Sequence, residues 1–146
     1  NKEYNSIIDK PFTYWFKEQI NFTPDKIAFK DNSKKMSYEE LGKLSEKISN
    51  SIILKTEENS NIVVFLDRSA DLLVSLIGIF SANRCYIPVD PNYPKKRVQY
   101  ILETARCKTI ITNSVLFNVL KSFNLESIED FNIIIIDTVL SFIFSF

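Results

Sequence analysis

CYIPVDPNYPKKRVQYIL, residues 85–102, sets three prolines and an aspartate within seven positions and then falls into helical spacing. Pro88, Pro91 and Pro94 each fix φ, remove a backbone donor and push the preceding residue toward an extended conformation. The stretch predicts a stiff, irregular crossing from one buried strand to the next element. Pro94 suits the first helical position, where its absent N–H is no loss, and Val98, Ile101, Leu102 and Ala105 mark an apolar stripe after it. Asp90 is placed to accept backbone donors of the crossing or to pair with Arg97, one turn into the helix.

Upstream, IVVFL at 62–66 is a continuous apolar run of the kind found in a strand covered on both faces. Leu72, Leu73, Val74, Leu76, Ile77, Ile79 and Phe80 then make a helix apolar on most sides, which must be deeply buried. Earlier still, Phe12, Trp15, Phe16 and Ile20 recur at helical spacing and predict an amphipathic helix laying its aromatics on the core. Ile27 to Lys30 reads as a short strand and Asp31-Asn32-Ser33 as a turn. Ser37-x-x-Glu40 is a capping box opening a helix whose buried stripe is Leu41, Leu44, Ile48 and Ile52.

Downstream the order is strand 108–112, helix 114–123 on Val115, Leu116, Val119, Leu120 and Phe123, and strand 132–136. Alternation of strand and helix with short links implies right-handed crossovers and an α/β fold around a mostly parallel sheet. After Asp137 the sequence TVLSFIFSF is apolar and β-prone, too short for a membrane span and a candidate for aggregation if uncovered.

A chain of 146 residues with 45% hydrophobic content, twelve Phe and six Tyr is long and apolar enough for one domain with a real core. Eighteen basic residues balance eighteen acidic ones, so no net field recruits nucleic acid or an anionic membrane. Cys85 and Cys107 stand without a C-x-x-C spacing or any histidine, which excludes a zinc site and a Cys/His nucleophile; both read as free buried thiols. The polar opening NKEYNSIIDK is no signal peptide, so an intracellular, cytoplasmic location is expected. The initial Asn, with Met36 as the single methionine, suggests a segment of a longer polypeptide.

The only glycines, Gly42 and Gly78, both fall inside predicted helices, which rules out G-x-G-x-x-G and P-loop motifs. Without histidine or a G-x-S-x-G elbow, no general base or nucleophile stands out. The acidic pairs Glu39-Glu40, Glu57-Glu58 and Glu129-Asp130 read as solvated helix starts or loops. Asp67 and Arg68 follow the carboxyl end of a predicted strand, where α/β proteins often bind ligands.

Beyond its physics, the stretch 85–102 resembles the sequence that follows the first core helices in adenylation domains of nonribosomal peptide synthetases. FTPDKIAFKD at 22–31, MSYEEL at 36–41 and FLDRSADLLVSLIGIFSANRCYIPVD at 65–90 are similar to the opening strand and the first two signatures of that family. KTIIT at 108–112 and IIIID at 133–137 fit later strands. Where the family usually ends the helix over 72–80 with Gly, this chain has Asn83, which tolerates the left-handed cap. Arg84 replaces a small residue and questions the packing of that turn.

The resemblance implies the amino-terminal part of an adenylate-forming domain over residues 1–137, with 138–146 an apolar tail that does not match. It implies a parent enzyme joining an amino acid's carboxylate to the α-phosphate of ATP with Mg²⁺, and partners in the rest of the domain and in condensation and carrier domains. The groups that grip the phosphates are expected beyond this chain, so the resemblance assigns it no catalytic, cofactor-binding or metal residue and no activity alone. Ser37, Glu40, Asp90 and Arg97 then read as scaffold, with Arg97 answering Asp90. An alternative is a non-catalytic module docking to a condensation or carrier domain, and which amino acid the parent activates is not encoded here.

Overall fold

The computed structural model describes residues 10–126 and 128–141, so most of the apolar tail lies outside the described residues. The chain divides into two units, Asn1–Lys43 and Leu44–Phe146.

The first unit holds helix α1 (Phe12–Phe22), strands β1 (Ile27–Lys30) and β2 (Lys35–Ser37), and the start of helix α2 (Tyr38–Lys55). Asp31 Oδ1 accepts the amides of Ser33 and Lys34 at 2.8 and 2.7 Å, which tightens the turn and lets β1 and β2 pair antiparallel. The sequence gives no hint of β2, because three residues between a turn and a helix cap are too few for a period to show. The capping box forms as expected: the Ser37 amide donates to Glu40 Oε2 at 2.9 Å, and the Glu40 amide to Ser37 Oγ at 3.1 Å. One expectation fails. Helix α1 has no buried residue, and Phe12 and Trp15 are 54% and 41% exposed. Its rings meet one another, with Phe12 stacked on Phe16 at 5.9 Å and Trp15 edge-on to Tyr14 at 5.1 Å, and Phe16 also meets the Tyr38 ring at 6.3 Å.

In the second unit, β3 (Asn61–Phe65), β4 (Cys85–Val89), β5 (Thr109–Thr112) and β6 (Asn132–Ile135) form one parallel sheet in the order β4-β3-β5-β6. Helices α3 (Ala70–Ser81), α4 (Lys95–Thr104) and α5 (Ser114–Ser122) make the crossovers. The sheet centre is where the apolar runs lie: Ile62 to Phe65 are at most 1% exposed and all of β5 is buried. Gly78 has a packing reason, since a Cβ there would come within 2.8 Å of Ile48 Cγ2 and 3.1 Å of the Ser45 carbonyl. Helices α2 and α3 approach through that missing methyl group.

The stretch 85–102 keeps its expected role as a strand leading through a proline-stiffened turn into a helix, with three corrections of detail, while Asp90 takes one of its two expected roles. Strand β4 is an edge strand, only half covered, and Pro88 and Cys85 are exposed. An edge is where a strand proline belongs, because no neighbour needs its missing donor. Pro94 is the cap residue and not the first helical one, with ψ at 148°. Asp90 closes the turn by accepting the Asn92 amide at 2.8 Å. Arg97 does not answer Asp90; its guanidinium lies 3.9 Å over the Tyr93 ring, which is nearer along the helix and offers a flat face.

Helix α3 ends on Asn83 at φ 60°, the left-handed cap the sequence suggests. The Asn83 amide donates to Phe80 O and the Arg84 amide to Ile79 O, both at 3.1 Å. Arg84 is accommodated and does not loosen the turn. At 9% exposure it points inward, donating to Thr56 Oγ1 at 2.9 Å, to the Thr56 carbonyl at 3.0 Å and to the Ala82 carbonyl. One guanidinium thus satisfies carbonyls at the ends of both α2 and α3. Further on, Val115 is 71% exposed, so the buried face of α5 rests on Leu116 and Leu120. Residues Ile136–Ser141 form helix α6, where the sequence reads as β-prone.

Candidate functional site

The strand order reverses between β3 and β5: the chain leaves β3 for β4 on one side, then crosses back to β5 and β6 on the other. Such a switch point opens a crevice at the carboxyl ends of the two central strands, which is where open α/β sheets bind ligands. Here it is bounded by Asp67, Arg68 and Ser69 after β3 and by Asn113 and Ser114 after β5. Thr112 Oγ1 donates to the Phe65 carbonyl at 2.7 Å and fixes the two strand ends together.

Each helix start at this crevice has at least one amide met by a side chain of the chain itself. Ser69 caps α3, accepting the Leu72 amide at 3.3 Å and donating to the Asp67 carbonyl at 3.1 Å. Asn113 caps α5, accepting the Leu116 amide at 2.8 Å. Asp137, from the start of α6, adds a second clamp on α5 by accepting the Ser114 amide at 2.9 Å and the Ser114 hydroxyl at 2.5 Å. Burial pushes the Asp137 carboxyl up, but hydrogen bonds from the Ser114 hydroxyl and amide and from its own amide outweigh this and hold it below the ordinary 3.8. A carboxylate therefore sits where a phosphate would otherwise meet the amino end of α5.

Asp67 and Arg68, the sequence's best ligand candidates, are exposed at the crevice. The Asp67 carbonyl takes part in the Ser69 cap. Ser114 and Asp137 were not singled out by sequence. They are 23 residues apart and meet only because β5 and β6 are neighbours; the one available signal was an acid directly after an apolar strand.

Among the described residues there is neither a glycine-rich phosphate loop nor a cluster of metal-binding side chains for a nucleotide and its Mg²⁺. Gly42 and Gly78 lie within helices with Ile20 and Ile48 filling the space beside them, so no glycine loop lets backbone amides approach phosphates. Among the described residues no group of three or more His, Cys, Asp or Glu side chains could hold a metal ion. The Cys107 thiol is pushed up by burial and donates to the Thr109 carbonyl at 2.8 Å, which leaves it a packing group and no nucleophile. Cys85, read from sequence as buried, is exposed. The pairs Glu39-Glu40, Glu57-Glu58 and Glu129-Asp130 are all solvated. No helix among the described residues is long and apolar enough to cross a membrane.

The family profile described as "AMP-binding enzyme" matches residues 16–141. Gramicidin S synthase 2 of Brevibacillus brevis is 33% identical over 109 residues, which is 74% of this chain and 2% of that protein. Surfactin synthase subunit 3 of Bacillus subtilis is 31% identical over 105 residues, 71% of this chain and 8% of that protein. Among solved structures, a nonribosomal peptide synthetase in its α-methyl-L-serine-AMP-bound form superposes with a TM-score of 0.77 at 24% identity, covering 86% of this chain and 14% of that one. O-succinylbenzoate coenzyme A synthetase of Bacillus subtilis, in complex with AMP, gives a TM-score of 0.74 at 16% identity over 87% of this chain and 32% of that one. These structural likenesses concern the fold. The chain spans a small part of the length of each of these relatives.

Proposed function

Because the chain belongs to the AMP-binding enzyme family and matches part of the adenylation domains of nonribosomal peptide synthetases, we propose that it supplies a scaffold portion of an amino-acid-activating, AMP-forming domain and has no activity alone. The observation that carries this is the match over residues 16–141, set against a switch-point crevice whose helix starts carry caps from Ser69, Asn113 and Asp137.

Activation of a carboxylate by ATP needs aligned reactants and donors around the charge that develops in the transition state. In this reading those donors, the Mg²⁺ ligands and the amino-acid pocket come from other parts of the domain. Residues 1–137 position them, and the family match runs on to residue 141, into the segment 138–146 read from sequence as an unmatched apolar tail. The partners are the remainder of the domain and the condensation and carrier domains of a synthetase, with neither nucleic acid nor membrane, in the cytoplasm. The balanced charge supports the absence of a nucleic-acid partner.

Amino-acid-dependent exchange of labelled pyrophosphate into ATP tests the reading. Background exchange with every amino acid is expected for this chain. A chimaera carrying residues 16–141 in place of the matching segment of gramicidin S synthase 2 is expected to retain exchange. Exchange by the isolated chain with any single amino acid would overturn the assignment.

A further inference from the structure

At the amino ends of the strands, opposite the switch-point crevice, a cavity of about 270 Å³ is lined by Lys55, Thr56, Glu57, Arg106, Lys108 and Thr109, among others. Three cations thus face one carboxylate. Among the described residues none of the three is held in an ion pair. Behind the lining lies a fourth positive charge. Arg84, 9% exposed, is bonded through Thr56 and Ala82 to carbonyls and a hydroxyl only, with no carboxylate against it. No counter-ion offsets this guanidinium, and it opposes the negative end of α2 that would otherwise repel an anion at Thr56.

The lining is also anchored. Asn61 Nδ2 donates to the Ala105 carbonyl at 2.8 Å, fixing the turn in which Arg106 takes φ 48°. Thr109 reaches the cavity from the first position of β5 while being only 2% exposed. The space is several times the roughly 30 Å³ of a water molecule.

We propose that this cavity binds a small polyvalent oxyanion of the phosphate or pyrophosphate type, held by Lys55, Arg106 and Lys108 in the field of Arg84. The site is separate from the crevice above, and the inference does not depend on the family assignment.

Titration of the full chain with inorganic phosphate and pyrophosphate at constant ionic strength, followed by amide NMR shifts, tests it. Saturable shifts confined to the amides of 56–61 and 106–109 are expected. The double variant Arg106→Asn, Lys108→Gln should weaken binding at least about tenfold. Asn tolerates the left-handed turn, so the fold survives the change. Lys96→Gln, a lysine change on α4, should leave binding unchanged. If ATP shifts the same amides with equal affinity, the anion is the phosphate tail of a nucleotide; if only pyrophosphate does so, it is a free ion. Unsaturable shifts, shifts spread over all basic residues, or equal binding by the double variant would overturn the proposal.

Discussion

At the carboxyl ends of the strands two helix starts, which attract negative charge, are met by Ser69, Asn113 and the Asp137 carboxylate. At the amino ends the chain meets helix ends, which attract positive charge, with Arg84, and then adds Lys55, Arg106 and Lys108 against the single carboxylate of Glu57. One edge is internally balanced while the other retains surplus charge. A switch-point location therefore need not be where this portion of chain has unspent binding capacity. The carboxyl edge turns side chains back on the starts of α3 and α5, and the amino edge gathers cations around one cavity.

The largest test of the contrast is at the packed edge. Phe65, 1% exposed at the end of β3, should lose about 3–5 kcal/mol on replacement by Ala, read as the shift of a urea unfolding midpoint. A loss under about 1 kcal/mol would mean that packing does not set that edge. Next, Arg84→Met keeps the side-chain bulk but strands the carbonyls of Thr56 and Ala82, and should cost about 2 kcal/mol by the same measurement. Equal stability would remove the buried charge from the account of the amino edge.

Smaller is Asp137→Ala, expected to cost about 1 kcal/mol at neutral pH by releasing the start of α5. The folded carboxyl is held below its ordinary 3.8, so its contribution is present above that value and lost as pH falls through the folded one. The gap between variant and parent should close below about pH 3.8, with solvent tempering it because the group is largely exposed. A gap constant with pH would show that the carboxylate's charge is not what clamps Ser114. Smallest, Arg106→Gly should gain about 0.5 kcal/mol, since glycine adopts φ 48° without strain, while weakening phosphate binding. Stability rising without loss of phosphate binding would detach Arg106 from the amino-edge site.

Features written in adjacent residues were legible from sequence. The Ser37 and Glu40 box, the apolar run at 62–66 and the Asn83 cap each depend on neighbours a few positions apart, and each formed as read. What failed involved choices between partners. Arg97 had Asp90 and Tyr93 within reach and took the ring, and Val115 fell just off the buried stripe of α5. The aromatics of α1 have helical spacing, but spacing specifies a face and not what covers it. Ser114 with Asp137, and Arg84 with Thr56, are contacts between elements that only the strand order creates. The crevice was thus half visible, through Asp67 and Arg68, and the side chains that close it were not.

The outer strands of the sheet differ in how they would receive another polypeptide. Strand β4 interrupts its rim with Pro88, whereas β6 presents Asn132 and three isoleucines with neither proline nor charge. Lateral growth of the sheet is therefore one-sided, permitted beyond β6 and discouraged beyond β4. Crowded solutions of this chain should show it as concentration-dependent slowing of amide exchange along Asn132–Ile135 and none along Cys85–Val89.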